Sequence, residues 1–291
     1  MRKIVDSNFL RSSELRSYLT ASQQNMAVLT DYAAMEAYKG DTLVSIYNSM
    51  SILSEFPTQV LVLKSTLVTC GLSGREAGLQ KRFIDAHQTK GFGIYCRNLE
   101  AAKAGNVALQ RQLLELGREA MQHLDERMLS DAGTFPSAVE HIAATYTKEE
   151  LVALRTAAPY SDEMIKKLIM CVLHAALEMF RSHPRVQKLP HRNEMPNTFI
   201  FHAALYAYLL ALDWIAVAGA QGAKGVNVKN IRNDMVDVNF AAYGTFFDDL
   251  LSCDGKTQRI YGKARLVLAR VFGCQVSGLT KDQKYRSRII S

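Results

Sequence analysis

Lys3-Ile4-Val5-Asp6-Ser7-Asn8-Phe9-Leu10 reads as a short β-branched strand that stops on an acid. A helix is predicted to follow from Ser12-Ser13-Glu14, with Ser12 as its cap, to about Gln23. The same succession then repeats. Met26-Ala27-Val28-Leu29 is a second short apolar strand, and Thr30-Asp31 caps a helix through Ala33, Ala34, Glu36 and Ala37 to Lys39-Gly40. Another helix covers Thr42–Leu53, and Thr58–Leu63 (TQVLVL) supplies a third strand. Short strands separated by helices are joined most simply as parallel neighbours, so an α/β chain with a central, mostly parallel sheet is expected.

Beyond this region the pattern changes. From about Gly71 to Arg181 it is helical, with Leu109, Leu113, Leu116, Ala120, Leu124 and Met128 forming an amphipathic stripe. His183-Pro184-Arg185-Val186-Gln187-Lys188-Leu189-Pro190-His191-Arg192 breaks it with a proline-flanked basic loop. The stretch 198–220 (TFIFHAALYAYLLALDWIAVAGA) is long enough to cross a bilayer. Asp213 inside it and His202 near its start favour a buried core helix instead. After a loop at Gly222-Ala223-Lys224-Gly225, alternation resumes: a helix from Asn233 to Gly244, a strand Phe246–Ser252, a helix Thr257–Phe272 and a short strand near Gln275-Val276-Ser277. The organisation expected is a discontinuous α/β domain, 1–70 and 198–291, carrying an all-helical insertion, 71–197.

Composition narrows the function classes. The chain has 291 residues with 48% hydrophobic and 22% charged content, which excludes wholesale disorder. A net charge of +7 and a pI near 9.1 lean toward an anionic partner such as nucleic acid. Five scattered cysteines without a CxxC pair argue against a disulfide framework or structural zinc. An acid at position 6, ahead of any apolar run, argues against a signal peptide, so a cytoplasmic protein is expected. Gly71-Leu72-Ser73-Gly74-Arg75 lacks the Lys-Ser/Thr end of a phosphate-binding P-loop.

The chemistry is expected from acids. Asp6 ends the first strand, Glu36 lies on the helix after the second, Asp237 on the helix begun at Asn233-Asp234, and Asp254 follows the strand Phe246–Ser252. Parallel sheets place their sites at the carboxyl ends of strands. Carboxylates gathered there repel one another unless a cation sits among them, and hard oxygen donors suit Mg²⁺ or Mn²⁺. Asp248 and Asp249 read as surface turn acids outside this set.

Ile4-Val5-Asp6-Ser7-Asn8-Phe9-Leu10 resembles the first strand of PIN-domain nucleases. Leu29-Thr30-Asp31-Tyr32-Ala33-Ala34-Met35-Glu36 is similar to that family's second strand and acid-bearing helix. Asp237-Val238-Asn239-Phe240-Ala241-Ala242-Tyr243-Gly244 with Leu250-Leu251-Ser252-Cys253-Asp254 is similar to its paired helix and strand. The resemblance covers about 1–65 and 225–280. It implies a PIN-like three-layer fold and a metal-dependent endoribonuclease acting on RNA, most simply single-stranded. Asp6, Glu36, Asp237 and Asp254 would then be catalytic metal ligands, Asp234 an additional ligand, and Ser7, Asn8 and Ser252 orienting groups. Glu36 and Asp237 are much farther apart in the chain than is usual in the family, so the helices of 71–197 inherit no role from it.

Lys224, Lys229 and Arg232, just ahead of Asp237, and Arg185, Lys188 and Arg192 of the proline-flanked loop are candidate phosphate contacts. A non-cleaving, PIN-like binding or scaffolding protein and a structure-specific DNA nuclease are the alternatives. The helical insertion is a candidate surface for self-association or a protein partner.

Overall fold

Among the described residues four short strands, apolar at their carboxyl ends, build the sheet: β1 (Arg2–Val5), β2 (Met26–Leu29), β3 (Val60–Val62) and β4 (Asp249–Leu251). They lie in the order β3-β2-β1-β4, and every pairing is parallel. Ile4 stands opposite Val28 on one side and Leu250 on the other. The computed structural model describes residues 1–39, 42–72, 79–124, 129–218 and 227–276. It is mostly helical, 71%, around this small sheet, so the expectation of an α/β chain with a parallel sheet holds in that form.

The helices are α1 (Ser13–Ala21), α2 (Asp31–Ala37), α3 (Leu43–Glu55), α4 (Thr66–Cys70), α5 (Leu79–Phe83), α6 (Ala86–Lys103) and α7 (Val107–His123). They continue with α8 (Leu129–Ala144), α9 (Lys148–Arg155), α10 (Asp162–Ser182), α11 (Phe199–Ala218), α12 (Val228–Gly244) and α13 (Gly255–Arg270). Side-chain caps set their starts. Ser12, Thr30 and Thr42 accept from Glu14, Ala33 and Ser45 backbone N–H groups at 3.1–3.2 Å. Asp31 is the first residue of α2 rather than a cap. Its carboxylate accepts from the Thr66 N–H at 2.6 Å and the Thr66 hydroxyl at 2.8 Å, which ties α4 to α2.

Two elements differ from expectation near the site. Helix α12 begins at Val228, five residues earlier than read, because the Asn227 side chain accepts from the Lys229 N–H at 2.9 Å and supplies the cap. Asp237 therefore lies in mid-helix. Strand β4 is shorter than Phe246–Ser252, because the Phe246 and Phe247 N–H groups still bond back to Tyr243 and Gly244 carbonyls. Phe246 stacks on His202 at 4.1 Å between ring centroids instead of extending the strand. Gln275 and Val276 form no strand, and Ser277 lies outside the described residues.

Helix α11 is the central core helix. Phe199–Val217 is long and apolar enough to cross a membrane, but 67% of its most apolar window is buried against α8–α10, α12 and α13, and Asp213 meets Arg259 at 3.4 Å. That is the packing of a core helix rather than of a lipid-facing span. His202 is enclosed with Nδ1 at 2.6 Å from the Thr245 hydroxyl and Nε2 at 2.9 Å from the Pro196 carbonyl. Burial pushes its pKa down to about 3, so it is neutral at physiological pH. No disulfide joins any of the five cysteines.

The helices of 71–197 share the sheet's hydrophobic core. The Thr89 hydroxyl on α6 bonds the Val62 N–H at 3.0 Å, and Tyr95 on α6 meets Tyr38 at 3.1 Å between hydroxyls. Within the α7 stripe Leu113 and Leu124 are buried, while Leu116 turns outward and Gly117 takes the inward place against Tyr38.

The end of α12 comes unusually close to its neighbours. A Cβ on Gly244 would lie 3.0 Å from the Tyr261 ring and 3.1 Å from the Leu250 Cβ. Gly244→Ala is expected to destabilise the fold by about 1–3 kcal/mol, read as a lowered midpoint in urea. An unchanged midpoint would show that β4 and α13 yield freely there.

Candidate active site

The chain winds β1-β2-β3 in one direction and returns with β4 on the other side of β1. The switch point of the sheet therefore lies between β1 and β4, where a parallel sheet opens a crevice beyond its carboxyl ends. Asp6 immediately follows β1 and Ser252-Cys253-Asp254 follows β4. The Asp6 N–H donates to the Leu251 carbonyl at 2.9 Å, so the ladder holds the two exits together.

Asp6 is fully buried. One carboxylate oxygen accepts from the Ser252 hydroxyl at 2.5 Å, and the other faces the Asn8 N–H and the Ser7 hydroxyl, each at 3.4 Å. Burial raises its pKa above the ordinary carboxylate value, the Ser252 and Asn8 hydrogen bonds oppose the rise, and Glu36 adds to it. Glu36, near the end of α2, accepts from the Ser7 hydroxyl at 2.5 Å and lies 3.7 Å from the Lys39 ammonium. The Asn8 side chain accepts from the Cys253 N–H at 3.2 Å, stitching the loop after β1 to the loop after β4.

Asp254 caps α13, accepting from the Thr257 N–H at 2.6 Å. Burial works to raise its pKa, but the hydrogen bonds from Thr257 and the charge of Lys256 bring it below the ordinary value. Asp254 is thus held ionised. Asp234, one turn before Asp237 on α12, pairs with Lys256 at 2.6 Å, and that ammonium also sits 5.3 Å from the centre of the Trp214 ring.

Asp237 lies at the centre of this field. Its pKa is pushed up to about 8, first by burial and then by Asp6, Glu36, Asp254 and Asp234 in that order. Among the described residues no hydrogen-bond donor or cation reaches its carboxyl. Five acids, from the loops after β1 and β4 and from α2 and α12, are thus electrostatic neighbours, and Lys39 and Lys256 partly balance them. Among the described residues no three Asp, Glu, His or Cys side chains close into a ready-made metal cage. The donors are hard carboxylate oxygens, the type a divalent cation takes, and among the described residues Asp237 has no hydrogen-bond or ion-pair partner.

The expected phosphate contacts fare differently. Arg232 is only 6% exposed, so it offers no solvent-facing cation and that expectation is corrected. It stands about 140° around α12 from Asp237, five residues at 100° each, which turns it into the core. Lys229 is exposed in the first turn of α12, and Lys224 lies outside the described residues. Arg185, Lys188 and Arg192 are exposed. Arg185 packs beside Gly71 at the end of α4, the helix after β3, and β3 lies on the far side of β2 from β1. Lys39, Lys256 and Arg11 are the cations that sequence reasoning missed. Lys39 was signalled three residues after Glu36 and Lys256 two residues after Asp254. Arg11 carried no local signal.

Comparison with known proteins gives no match: no family model, curated protein or solved structure is significantly similar to the chain.

Proposed function

We propose that this chain is a metal-dependent endoribonuclease of PIN-like fold that hydrolyses phosphodiester bonds of single-stranded RNA. The observation that carries the reading is the set of acids gathered at the switch point of a parallel sheet around Asp237, whose own carboxyl meets no donor or cation among the described residues. Like charges held close together, with Asp6 fully buried among half-buried acids, cost stability, and a fold that keeps them has a use for a positive charge.

Asp6, Glu36, Asp237 and Asp254 would hold Mg²⁺ or Mn²⁺, with Asp234 available as a further oxygen donor. A bound divalent ion supplies a water of lowered pKa and neutralises charge on the phosphate oxygens. The chain's own part is orientation. Ser252 and the Asn8 N–H engage Asp6, Ser7 fixes Glu36, and the start of α13 fixes Asp254, so these carboxylates keep their places without waiting for substrate. Lys256 holds Asp234 and moderates the net charge, and Lys39 does the same for Glu36.

The test is cleavage of a mixed single-stranded RNA pool by the full chain with Mn²⁺, Mg²⁺ or EDTA. Cleavage is expected with either metal, none with EDTA, and none by Asp6→Asn, a variant of unchanged shape whose fold is checked by its melting curve. Equal cleavage by Asp6→Asn, or none by the wild type with any metal, would overturn the proposal. Flap DNA offered alongside the RNA separates the DNA-nuclease alternative.

A further inference from the structure

A groove of about 290 Å³ opens beside the acids, lined by Ser7, Asn8, Arg11, Glu36, Lys39 and Ser49. The Ser7 hydroxyl donates to Glu36, so the groove is continuous with the acid cluster. Arg11, between the 3-10 turn Ser7–Phe9 and α1, lines the same groove. Its Nε and Nη2 both donate to the hydroxyl oxygen of Ser49 on α3, at 3.2 and 2.7 Å, and Ser49 is buried.

Arg11 differs from the arginines that are paired with acids. Arg16, Arg118 and Arg181 each face a glutamate at 2.6–2.8 Å. Arg11 meets a neutral hydroxyl, and among the described residues it has no carboxylate partner and its Nη1 makes no hydrogen bond. An exposed arginine left to itself keeps its rotamer freedom in water, and fixing it costs entropy that one neutral hydroxyl offsets poorly. A guanidinium steadied on one edge with its other edge open is arranged to take an oxyanion with two donors. Lys39, which lines the same groove, is held among the described residues by the 3.7 Å contact to Glu36 and can turn to a second anion.

We infer that Arg11, steadied by Ser49 and assisted by Lys39, binds a phosphate of the RNA strand next to the bond presented to the acids. This deepens the nuclease proposal and rests on its assignment of RNA to the site. It names the contact that sets where the strand lies. The groove is near the lower end of the volume range of small-ligand sites, about 300 Å³, which suits one nucleotide unit rather than a duplex. The same chemistry would serve an internal phosphodiester or a 5′-terminal phosphate.

The experiment is fluorescence anisotropy of a 3′-labelled single-stranded RNA, with 5′-hydroxyl and 5′-phosphate forms compared. It uses the full chain in EDTA, so that binding is read without cleavage, across a series of salt concentrations. Arg11→Ala is expected to weaken binding about 5–10-fold and to lower the slope of log K against log salt by about one. Arg11→Lys should keep the slope, which a merely structural role of Arg11 would not require. Arg118→Ala, already neutralised by Glu115, should change neither. Loss confined to the 5′-phosphate form assigns the terminal phosphate, and equal loss for both forms assigns an internal one. Unchanged affinity and slope in Arg11→Ala, or no RNA binding by the wild type, would overturn the inference. Metal-dependent cleavage with an indifferent Arg11 would remove this inference alone. Arg11-dependent binding without cleavage would remove the nuclease proposal and leave the groove as an RNA contact.

Discussion

With divalent ions chelated, Asp237→Asn is expected to melt about 5–10 °C above the wild type at pH 8, and the gap to close as the pH falls toward 4. The sign follows from the direction of the shift. Burial and four neighbouring acids push the Asp237 carboxyl up from 3.8 to about 8, so the folded chain holds that proton more tightly than the unfolded chain does. Stability associated with this group is therefore full below the unfolded value and is lost as the pH rises through about 8. Each unit of displacement is worth about 1.4 kcal/mol. Relaxation of the cluster reduces the whole to about 2–4 kcal/mol, at about 2–4 °C per kcal/mol for a chain of this size. Asparagine cannot ionise, and its amide can donate to a neighbouring carboxylate.

Manganese is expected to reverse the order. An ion bound only by the folded state stabilises it by about 2.7 kcal/mol at a hundred times its Kd, and the variant lacks the central ligand, so the wild type gains and Asp237→Asn does not. RNA cleavage by the variant should fall by about 10²-fold or more, the scale seen when one group that stabilises transition-state charge is removed. Coincident melting curves at pH 5 and pH 8 in chelator, with the same manganese shift in both proteins, would show that Asp237 stands outside any cation site. The reversal distinguishes a functional acid from a badly placed one, because an acid retained only by structural accident has no condition under which its charge helps.

Much of this site was legible because its parts are local. A strand that stops on an acid, a helix with an acid in its second turn and a short apolar run followed by Ser-Cys-Asp are patterns of a few residues each. A parallel sheet brings the ends of such patterns to one edge. Asp237 was legible as an acid but misplaced along its helix, because Asn227 and Asn233 are equally good starters by type and only the fold shows which one caps. The end of the strand before Ser252 was misjudged for a related reason. Phe246 and Phe247 have high strand propensity, but the aromatic pocket of Phe83, Phe199 and His202 takes the first of them. Cations were the weakest part of the reading. A basic residue near an acid in sequence faces it or faces away according to helix phase, which sent Arg232 into the core. Arg11 owes its place to Ser49, 38 positions later on another helix. No window of sequence contains that relation.

Phe83→Ala is expected to lower the melting temperature by about 10 °C or more, and to move a single transition as a whole. Phe83 ends α5, inside the stretch read as a helical insertion, yet it is fully buried among residues that lie beyond that stretch. Its ring meets Phe246 at 4.9 Å, Tyr243 at 6.1 Å and Phe199 at 6.3 Å between centroids, all edge-on. The backbone is annealed there as well. Lys64 N–H donates to the Phe83 carbonyl and Asp85 N–H to the Val62 carbonyl, each at 2.8 Å, beside an antiparallel bridge from Leu63 to Ile84. The segment after α5 thus extends the exposed edge of β3, and the Phe83 ring just before it packs against Phe199 of α11 and Tyr243 of α12. Truncating a buried phenylalanine costs about 3–5 kcal/mol, the lost transfer energy plus the cavity left behind. Phe83→Leu, which keeps most of the volume, should cost under about 1.5 kcal/mol. The ring partners of Phe83 are Phe199, Tyr243 and Phe246, none of them an acid of the site, so Phe83→Ala should retain metal-dependent cleavage at temperatures where it stays folded. A loss of activity in step with unfolding, and not before it, checks that point. Two separable transitions, with only one displaced by the substitution, would show instead that residues 71–197 melt as an independent unit. A shift of less than about 2 °C would show that Phe83 contributes little to the core.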